Sequence, residues 1–428
     1  HEQSAAMAAD SFARVTGNIG VAISTSGPGA TNLITGICCS YYDSVPLLVI
    51  TGQVSTTRMS GDTGVRQIGF QETPIAKIVK EVTKYSTTLK KADDIKFELE
   101  KAFYIAKDGR PGPVLIDIPD NLQRVEITID ELKSFNKPNN FNKKFPSSKE
   151  IINKVINEIR KAKRPVVLAG WGIHLSKTEL EFVEFIKKFN FPTAFTWGAA
   201  DLIDRNNPLY IGTFGTHGMR HANFAVQNAD LIIALGTRLD TKSTGSPITT
   251  FAREANKIML DIDPYELSKF NNFGLKFDIL IQDDLKIFFK AIEKQTIIKE
   301  NNSWLEQIKN WKIKFNLFDK NIQENQEKSI NPYQFFEILS DKISSNTSLF
   351  IDTGCSIAWA MQAMHFKKGV RLFHDFNNTA MGWALPALIG SHFADPERDS
   401  ICIMGDGSFM MTMQELATVL HHKIKLKI

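Results

Sequence analysis

The sequence predicts an α/β protein of three consecutive domains, each with a central parallel sheet flanked by helices. Short apolar runs of strand type alternate with amphipathic helical stretches along the chain. Glycine-containing turns follow such runs at residues 26–29, 170–172 and 405–408. A chain of 428 residues also exceeds what one hydrophobic core usually organises, so two or three domains are expected.

The first predicted domain covers residues 1–125. Its predicted elements are a helix from residue 2, strands at 20–25 and 45–50, a helix at 30–40 between them, a helix at 92–106 and a strand at 114–118. Residues 53–72 are rich in Gly and Thr and lack periodicity, which predicts a loop that reaches toward a site.

Two further domains follow, separated by polar segments. Residues 126–148 are predicted to be a linker, residues 149–293 a central domain, residues 294–329 a helical linker and residues 330–428 a third domain. Predicted strands lie at 165–169, 230–235, 257–262, 349–352 and 400–404, and another begins at 423–428. The chain opens inside a helix without Met, so we expect a fragment lacking both ends of a longer protein.

Composition argues against several classes of partner. The net charge is only +4 and the lysines are spread along solvated helix faces, which disfavours nucleic-acid binding. No apolar run approaches the roughly 18 residues of a membrane span, and no signal peptide is evident, so no membrane partner is expected. The four cysteines lack CxxC spacing and stand in apolar contexts, which predicts buried, reduced thiols in a cytoplasmic protein.

Two acidic residues stand out as candidate functional groups. Asp406 lies between two glycines at a strand-to-helix turn, where it is suited to bind Mg²⁺ that bridges to a diphosphate. An ordinary turn with Asp406 as a helix cap is the alternative. Glu2 lies in the first turn of a predicted helix, where it could simply stabilise the helix dipole.

The combination of motifs favours chemistry at both places. HEQ at the start is followed by TSGPGATN, SVPLLVITGQV, FQETPI, GRPGPVLIDIP, MGWALP and GDGSFMM. In order and spacing these resemble the large, catalytic subunit of acetolactate (acetohydroxyacid) synthase, a family of thiamine-diphosphate enzymes. The resemblance implies that the first domain binds the aminopyrimidine, the middle domain FAD, and the last domain the diphosphate and Mg²⁺. It also implies a homodimer or dimer of dimers, because the site lies between protomers, and a small regulatory subunit as a candidate partner.

The resemblance assigns roles to individual residues. Glu2 is the catalytic residue, expected to hydrogen-bond the pyrimidine ring from a largely apolar pocket that raises its pKa. The thiamine diphosphate positions are Cys355, Ser356, Ala380, Met381, Asp406, Gly407 and Ser408, with Asp406 as the metal ligand. The FAD positions are Arg110, Gly170, Gly172, Thr196, His217, Gly218, Gly236, Arg238, Asp240 and Asp261. The substrate positions are Gly29, Ala30, Phe70, Gln71, Lys84 and Lys242.

The implied reaction is decarboxylation of pyruvate and carboligation to a second 2-keto acid, in branched-chain amino acid biosynthesis. One alternative is a related carboligase with another acceptor, such as a sugar or an aldehyde. A second alternative is a pyruvate-oxidase-like enzyme in which FAD takes up electrons. A non-enzymatic nucleotide-binding or subunit-interaction protein is the alternative from a different class.

The chain departs from the family pattern at four places. The loop before Phe70 is longer than in typical members and adds Arg58 and Arg66 near the substrate entrance. The usual Gln-His at the diphosphate is replaced by residues 355–356, and Asp120 stands where a lysine is usual. Lys242 replaces an arginine associated with the carboxylate of the second keto acid, and lysine lacks the bidentate guanidinium fork. These changes leave the acceptor open.

Overall fold

The computed structural model describes residues 1–138, 148–295, 301–317 and 330–428, and contains three sheets. The described residues form two compact units. One unit contains the residues up to 138 together with Ser348–Thr353 and Phe373–Ile428, and the other contains residues from 148 to Thr347 together with Gly354–Leu372. The predicted α/β class is confirmed, and parts of both predicted linkers lie outside the described residues.

A four-stranded parallel sheet forms the N-terminal part of the first unit, in the order β1-β2-β4-β3. Its strands are β1 (Gly20–Ser24), β2 (Leu47–Gln53), β3 (Tyr85–Thr88) and β4 (Val114–Pro119). The helices of this part are α1 (Glu2–Thr16), α2 (Pro28–Asn32), α3 (Ile34–Asp43), α4 (Ile75–Ile78) and α5 (Ile95–Lys107). The single helix predicted at 30–40 is therefore two helices.

Helix α1 has an alanine-rich face that lets neighbouring backbones approach closely. Ala6, Ala9 and Ala13 are buried, and Gly17 ends the helix with a φ of 65°. A Cβ added at Gly20 would lie 1.9 Å from the carbonyl oxygen of Ala9. Only glycine therefore fits at residue 20, where β1 passes α1. This contact fixes the height of α1 above the sheet and, with it, the position of Glu2 at the start of the helix.

The second unit is built on a six-stranded parallel sheet with the order β10-β9-β8-β5-β6-β7. Its strands are β5 (Pro165–Ala169), β6 (Thr193–Phe195), β7 (Tyr210–Thr213), β8 (Leu231–Leu235), β9 (Asn256–Asp261) and β10 (Ile279–Gln282). The helices that follow along the chain are α6 (Lys149–Lys161), α7 (Gly172–Leu175), α8 (Glu179–Lys188), α9 (Arg220–Gln227), α10 (Thr241–Thr244), α11 (Pro264–Ser268), α12 (Leu285–Ile292) and α13 (Asn302–Lys314). Val167 and Ile233 enter the core on one face, whereas Val166 and Ile232 enter the core on the other, as the two-residue period of a strand requires.

Helix α13 lies within the segment predicted to be a linker. Its Trp304 and Ile308 are buried in a core of the six-stranded sheet, and the Trp304 indole donates to the carbonyl of Pro165 at 3.2 Å. Within α13, Lys309, Asn310 and Lys314 are exposed.

The third sheet has three strands in the order β12-β11-β13. They are β11 (Thr347–Ile351), β12 (Arg371–Phe373) and β13 (Asp399–Ile403). The helices are α14 (Pro332–Lys342), α15 (Cys355–Ala363), α16 (Ala384–Ala394), α17 (Asp406–Thr412) and α18 (Leu416–His421). The strand predicted to begin at 423–428 is present only as one parallel bridge between Ile401 and Lys427.

Helix α16 packs along α1 inside the first unit. A Cβ at Gly390 would lie 2.0 Å from the carbonyl oxygen of Ala8, so the two helix backbones touch. Through this contact one compact unit contains both Glu2 and Asp406. Among the helices that the structure describes, none combines the length and apolarity needed to cross a bilayer.

Candidate active site

Glu2 is held against the second sequence motif of the first domain. Its carboxylate accepts a hydrogen bond from the side-chain amide of Asn32 at 3.1 Å. A Cβ added at Gly29 would lie 3.2 Å from Oε1 of Glu2 and 2.7 Å from Cγ2 of Thr25. The HEQ and TSGPGATN motifs therefore form one site, in which glycine leaves room beside the carboxylate.

The expectation that burial raises the pKa of Glu2 is wrong for this structure. The side chain is only half-buried, and the hydrogen bond from Asn32, followed by a backbone hydrogen bond, lowers the pKa of Glu2 below its ordinary value. Hydrogen bonds to the charged form outweigh the modest loss of solvation. Glu2 is therefore ionised at neutral pH and can accept a further hydrogen bond.

A cleft opens beside Glu2 at the carboxyl ends of β1, β2 and β4. Its walls include Thr25, Ser26, Gln53, Arg58, Phe70 and Gln123. Thr25 belongs both to this cleft and to the contact with Gly29, so the cleft adjoins the carboxylate of Glu2. Crevices at the carboxyl ends of parallel strands are the usual ligand sites of open α/β sheets.

The predicted substrate residues of the first domain divide between two edges of the sheet. Gly29 and Ala30 are buried in α2, and Phe70 is 85% exposed on the cleft wall. Gln71 has a φ of 64° and packs against Gly27, where a Cβ would lie 2.9 Å from Cβ of Gln71. Lys84 precedes β3 at the opposite, amino edge, where its ammonium donates to the carbonyl of Asp108 at 2.5 Å. The substrate roles of these residues stay predictions.

Asp352 organises the turn that contains Ala380 and Met381. Its carboxylate accepts hydrogen bonds from the backbone N–H of Gly382 at 3.1 Å and of Ala384 at 2.8 Å. A side-chain hydrogen bond from Ser408 joins the same carboxylate, whose pKa is nevertheless raised by burial. Sequence reasoning missed Asp352, although an acidic residue that directly follows a buried strand is a recognisable signal.

Met381 and Gly407 lie side by side. Cε of Met381 would be 3.2 Å from a Cβ at Gly407, and the methionine is 47% exposed. The hydroxyl of Thr412 donates to the carbonyl of Gly382 at 3.1 Å, which ties the same turn to α17. The predicted residues Ala380, Met381, Asp406, Gly407 and Ser408 are thus brought together at the start of α17.

Asp406 is an exposed carboxylate at the first position of α17. Gly405, rather than Asp406, is the N-cap, and Oδ1 of Asp406 accepts from the N–H of Gly407 at 2.8 Å. Nothing lies within 4 Å of a Cβ built at Gly405, so the approach to this helix end is open. Within the described ranges no three His, Cys, Asp or Glu side chains cluster as metal ligands. Mg²⁺ usually needs only one or two carboxylates when phosphate oxygens complete its coordination, so this arrangement fits a diphosphate with Mg²⁺.

Cys355 and Ser356 begin α15 in the second unit. Cys355 is exposed and Cys38 is partly exposed, which corrects the prediction that all four cysteines are buried. Gly354, with a φ of 111°, precedes the helix, and nothing lies within 4 Å of a Cβ built there. The predicted contact of residues 355–356 with a diphosphate stays a prediction.

All the predicted flavin positions except Arg110 follow or end strands at one edge of the six-stranded sheet. Gly170 and Gly172 follow β5, Thr196 follows β6, His217 and Gly218 follow β7, Gly236, Arg238 and Asp240 follow β8, and Asp261 ends β9. This carboxyl edge is where doubly wound sheets bind nucleotides. Arg110 lies in the first unit, where its guanidinium donates to the hydroxyl of Ser44 at 2.7 Å.

Several of these positions also have partners within the protein. A Cβ at Gly170 would lie 2.2 Å from the carbonyl oxygen of Gly236, so glycine is needed where these two loops touch. Arg238 pairs with Glu266 at 3.1 Å, and Asp240 caps α10. Lys242, the predicted substrate residue of this unit, holds its ammonium 5.6 Å from the ring centroid of Trp197.

A buried network of charges, which sequence reasoning missed, connects α1 and α3 to the segment before Met381. The Arg14 side chain is 0% exposed and pairs with Asp10 and Asp43, each at 2.8 Å. Asp43 also accepts from the N–H of Phe376 at 2.9 Å. The signal was present in the sequence, because residues 10 and 14 place charges one helical turn apart on the face occupied by buried alanines.

Asp375 continues this network toward the turn at Met381. One of its oxygens accepts from the N–H of Ala380 at 2.8 Å and from the thiol of Cys39 at 3.1 Å. Burial, together with the nearby charge of Asp43, raises the pKa of Asp375 to about 7. The segment 374–380 is thereby anchored on α3 by buried polar contacts.

Comparison with known families matches all three parts of the chain. Residues 1–77 match the N-terminal TPP binding domain of thiamine pyrophosphate enzymes. Residues 152–292 match the central domain of these enzymes, and residues 352–428 match their C-terminal TPP binding domain. The predicted domain boundaries between these matched segments stay predictions.

Relatives from distant organisms align with the whole chain. The acetolactate synthase large subunit of Cyanidium caldarium is 36% identical over all of this chain and 72% of its own length. The acetolactate synthase isozyme 2 large subunit of Escherichia coli K12 is 33% identical over all of this chain and 74% of its own length. The large subunit of Lactococcus lactis is 33% identical with 72% of its length covered. The chain therefore belongs to the acetolactate synthase large-subunit family of thiamine diphosphate enzymes.

Proposed function

We propose that this chain catalyses the condensation of two molecules of pyruvate to acetolactate and CO₂, or of pyruvate with another 2-keto acid. The observation that carries this proposal is the ionised carboxylate of Glu2, held by Asn32 beside Gly29 at the mouth of a cleft. Family membership and the match to thiamine pyrophosphate domains support the same reaction.

The residues of the first unit fit thiamine diphosphate with Mg²⁺. When bound, this cofactor supplies the carbanion chemistry that removes CO₂ from a 2-keto acid and forms the new carbon–carbon bond. In the expected dimer, Glu2 of one protomer would hold a hydrogen bond at the pyrimidine ring, while Met381 and Asp406 of the other protomer would contact the cofactor and bind the metal. The open helix end at Gly405 leaves backbone N–H groups available to an anionic phosphate.

FAD in the second unit is proposed as a structural cofactor. The conversion of two pyruvates to acetolactate and CO₂ involves no net oxidation, so the flavin has no electrons to accept. The sheet edge that contains Gly170, Gly236 and Asp261 supports a nucleotide site there. The pyruvate-oxidase-like alternative instead requires that pyruvate reduce the flavin.

The assembly is proposed to be a homodimer or a dimer of dimers with a small regulatory subunit. The names of the relatives support a small subunit as a partner, because these relatives are called large subunits. Exposed Val21 and Ile23 on β1, which is an edge strand of its sheet, support an interface on this side of the first unit.

One assay tests the proposed function. The full-length protein with thiamine diphosphate, Mg²⁺ and FAD is incubated anaerobically with pyruvate, and the products and the flavin spectrum are followed together. We expect one CO₂ and one acetolactate for every two pyruvates, with the flavin oxidised throughout. Bleaching of the flavin with acetate as product would favour the oxidase-like alternative, and absence of CO₂ would contradict both.

Asp406→Asn is expected to raise the Mg²⁺ concentration needed for half-maximal activity by roughly 10- to 100-fold, because the amide has no charge with which to bind the cation. Magnesium titration of activity provides the measurement. Asp399→Asn, at the amino end of β13, the strand that precedes α17, is the control and should leave the titration unchanged. Equal titration curves for Asp406→Asn and the wild type would show that Asp406 does not bind the metal.

A further inference from the structure

The extended loop at residues 54–72 gives the cleft beside Glu2 a cation. Both arginines that this loop adds are exposed; Arg58 lines the cleft, whereas Arg66 does not. Asp120, an acid on the same wall, pairs with Arg124 at 2.6 Å. In the ranges that the structure describes, no carboxylate forms an ion pair with Arg58, so the charge of Arg58 remains available to a ligand.

Side-chain clamps hold the loop on both sides of Arg58. Asn121 accepts from the N–H of Thr56 at 2.9 Å and donates to its hydroxyl at 3.0 Å. Glu72 accepts from the N–H of Ser60 at 2.6 Å and from its hydroxyl at 2.7 Å. Arg58 therefore stands between two anchored residues, although it lies on a surface loop.

After this anchored segment, the chain comes back against it at Gly69. A Cβ at Gly69 would lie 2.9 Å from the carbonyl oxygen of Arg58 and 3.0 Å from Cβ of Val54, so the loop closes on itself at a glycine. The next residue, Phe70, presents an exposed ring to the cleft. Residues with hydroxyl side chains, including Thr25 and Ser26, also line the cleft, whereas the amide of Gln53 already donates to Thr73 and Asp117. A guanidinium on an anchored loop, an apolar ring and hydroxyl groups together suit a small, flat anion.

We propose that this cleft is the subsite for the second substrate and that Arg58 binds the carboxylate of that substrate. The proposal rests on the proposed function and deepens it, because it names the residue that would select a 2-keto acid, rather than an uncharged aldehyde or a sugar, as the acceptor. A guanidinium binds a carboxylate through two parallel hydrogen bonds, a geometry that an ammonium group such as that of Lys242 lacks. Because the cleft adjoins Glu2, an acceptor held there lies near the catalytic carboxylate.

The test compares a charged with an uncharged acceptor. Wild-type holoenzyme, Arg58→Ala, Arg58→Lys and Arg66→Ala receive pyruvate as donor with either 2-ketobutyrate or an uncharged aldehyde as acceptor, and CO₂ and both products are quantified. For Arg58→Ala we expect kcat/KM for 2-ketobutyrate to fall roughly 10- to 100-fold, because a charge-assisted hydrogen-bonded pair is lost. The value for the aldehyde should change by less than about twofold. Arg58→Lys should recover part of the loss, and Arg66→Ala should behave as wild type.

The outcomes separate this proposal from the one on which it rests. Equal losses for the two acceptors, or the same loss in Arg66→Ala, would contradict the role of Arg58 while leaving carboligation intact. If Arg58→Ala does not fold, Arg58→Gln takes its place, and an unchanged preference of Arg58→Gln for 2-ketobutyrate overturns the proposal alone. A wild-type enzyme that releases no CO₂ from pyruvate contradicts the proposed function and this assignment together.

Discussion

Glu2→Gln is expected to lower the turnover of pyruvate by a factor on the order of 10²–10⁴, the range for a lost general acid–base group. Glutamine keeps the size of the side chain and can still contact Asn32. It cannot maintain the negative charge that Asn32 stabilises in the wild type. The measurements are kcat with saturating thiamine diphosphate and Mg²⁺, and the melting temperature of the apoprotein.

Two further variants define what the Glu2 result means. Glu81→Gln removes an exposed carboxylate from the same domain and should leave kcat unchanged. Asn32→Ala retains the Glu2 carboxylate but removes the hydrogen bond that lowers its pKa, so the acidic limb of the pH–rate profile should move to higher pH. An acidic limb unaffected by Asn32→Ala would show that Glu2 does not control this limb.

Arg14→Met is expected to lower the free energy of unfolding by about 3–5 kcal/mol, because it leaves two buried carboxylates without their cation. Asp10 and Asp43 both pair with Arg14 at 2.8 Å and are themselves buried. Methionine fills much of the volume of arginine, so the loss reflects charge rather than a cavity. Urea unfolding at pH 7 measures the change.

Arg124→Met is the matched control for charge burial. Arg124 forms an ion pair of 2.6 Å with Asp120, four residues earlier, but both side chains are largely exposed. Pairs of this kind contribute about 0–1 kcal/mol. Arg14→Met should also regain stability as the pH falls, because unpaired buried carboxylates have raised pKa values and are neutral once protonated. Similar losses for the two variants would show that the buried network contributes little.

The strands that the sequence predicted correctly are those with strong local signals. β5 coincides with the predicted residues 165–169, a fully buried run between a polar segment and a glycine turn. Strands such as β6 (Thr193–Phe195) and β12 (Arg371–Phe373) were missed because three residues cannot show a periodicity. Helix α13 was assigned to a linker because its exposed face dominates its composition, whereas Trp304 and Ile308 provide its packing.

The candidate site was predictable where recognisable sequence motifs form it. Glu2 and Gly29 belong to recognisable motifs, and the structure brings them together. Asp43 and Phe376, which are 333 residues apart in the chain, meet only through the packing of α3 against the segment before Met381. The direction in which the pKa of Glu2 shifts could not be predicted from the sequence either. It depends on the hydrogen bond from Asn32 and on contact with solvent rather than on residue type.

Hydrogen–deuterium exchange at C2 of bound thiamine diphosphate tests the catalytic role of Glu2 before any substrate enters. The full-length wild type and Glu2→Gln are each loaded with the cofactor and Mg²⁺, transferred to D₂O and quenched in acid at successive times for NMR. We expect exchange in Glu2→Gln to be slower by a factor on the order of 10² or more, with the cofactor still bound. Exchange at the wild-type rate in a folded, cofactor-loaded Glu2→Gln protein would contradict the catalytic role of Glu2.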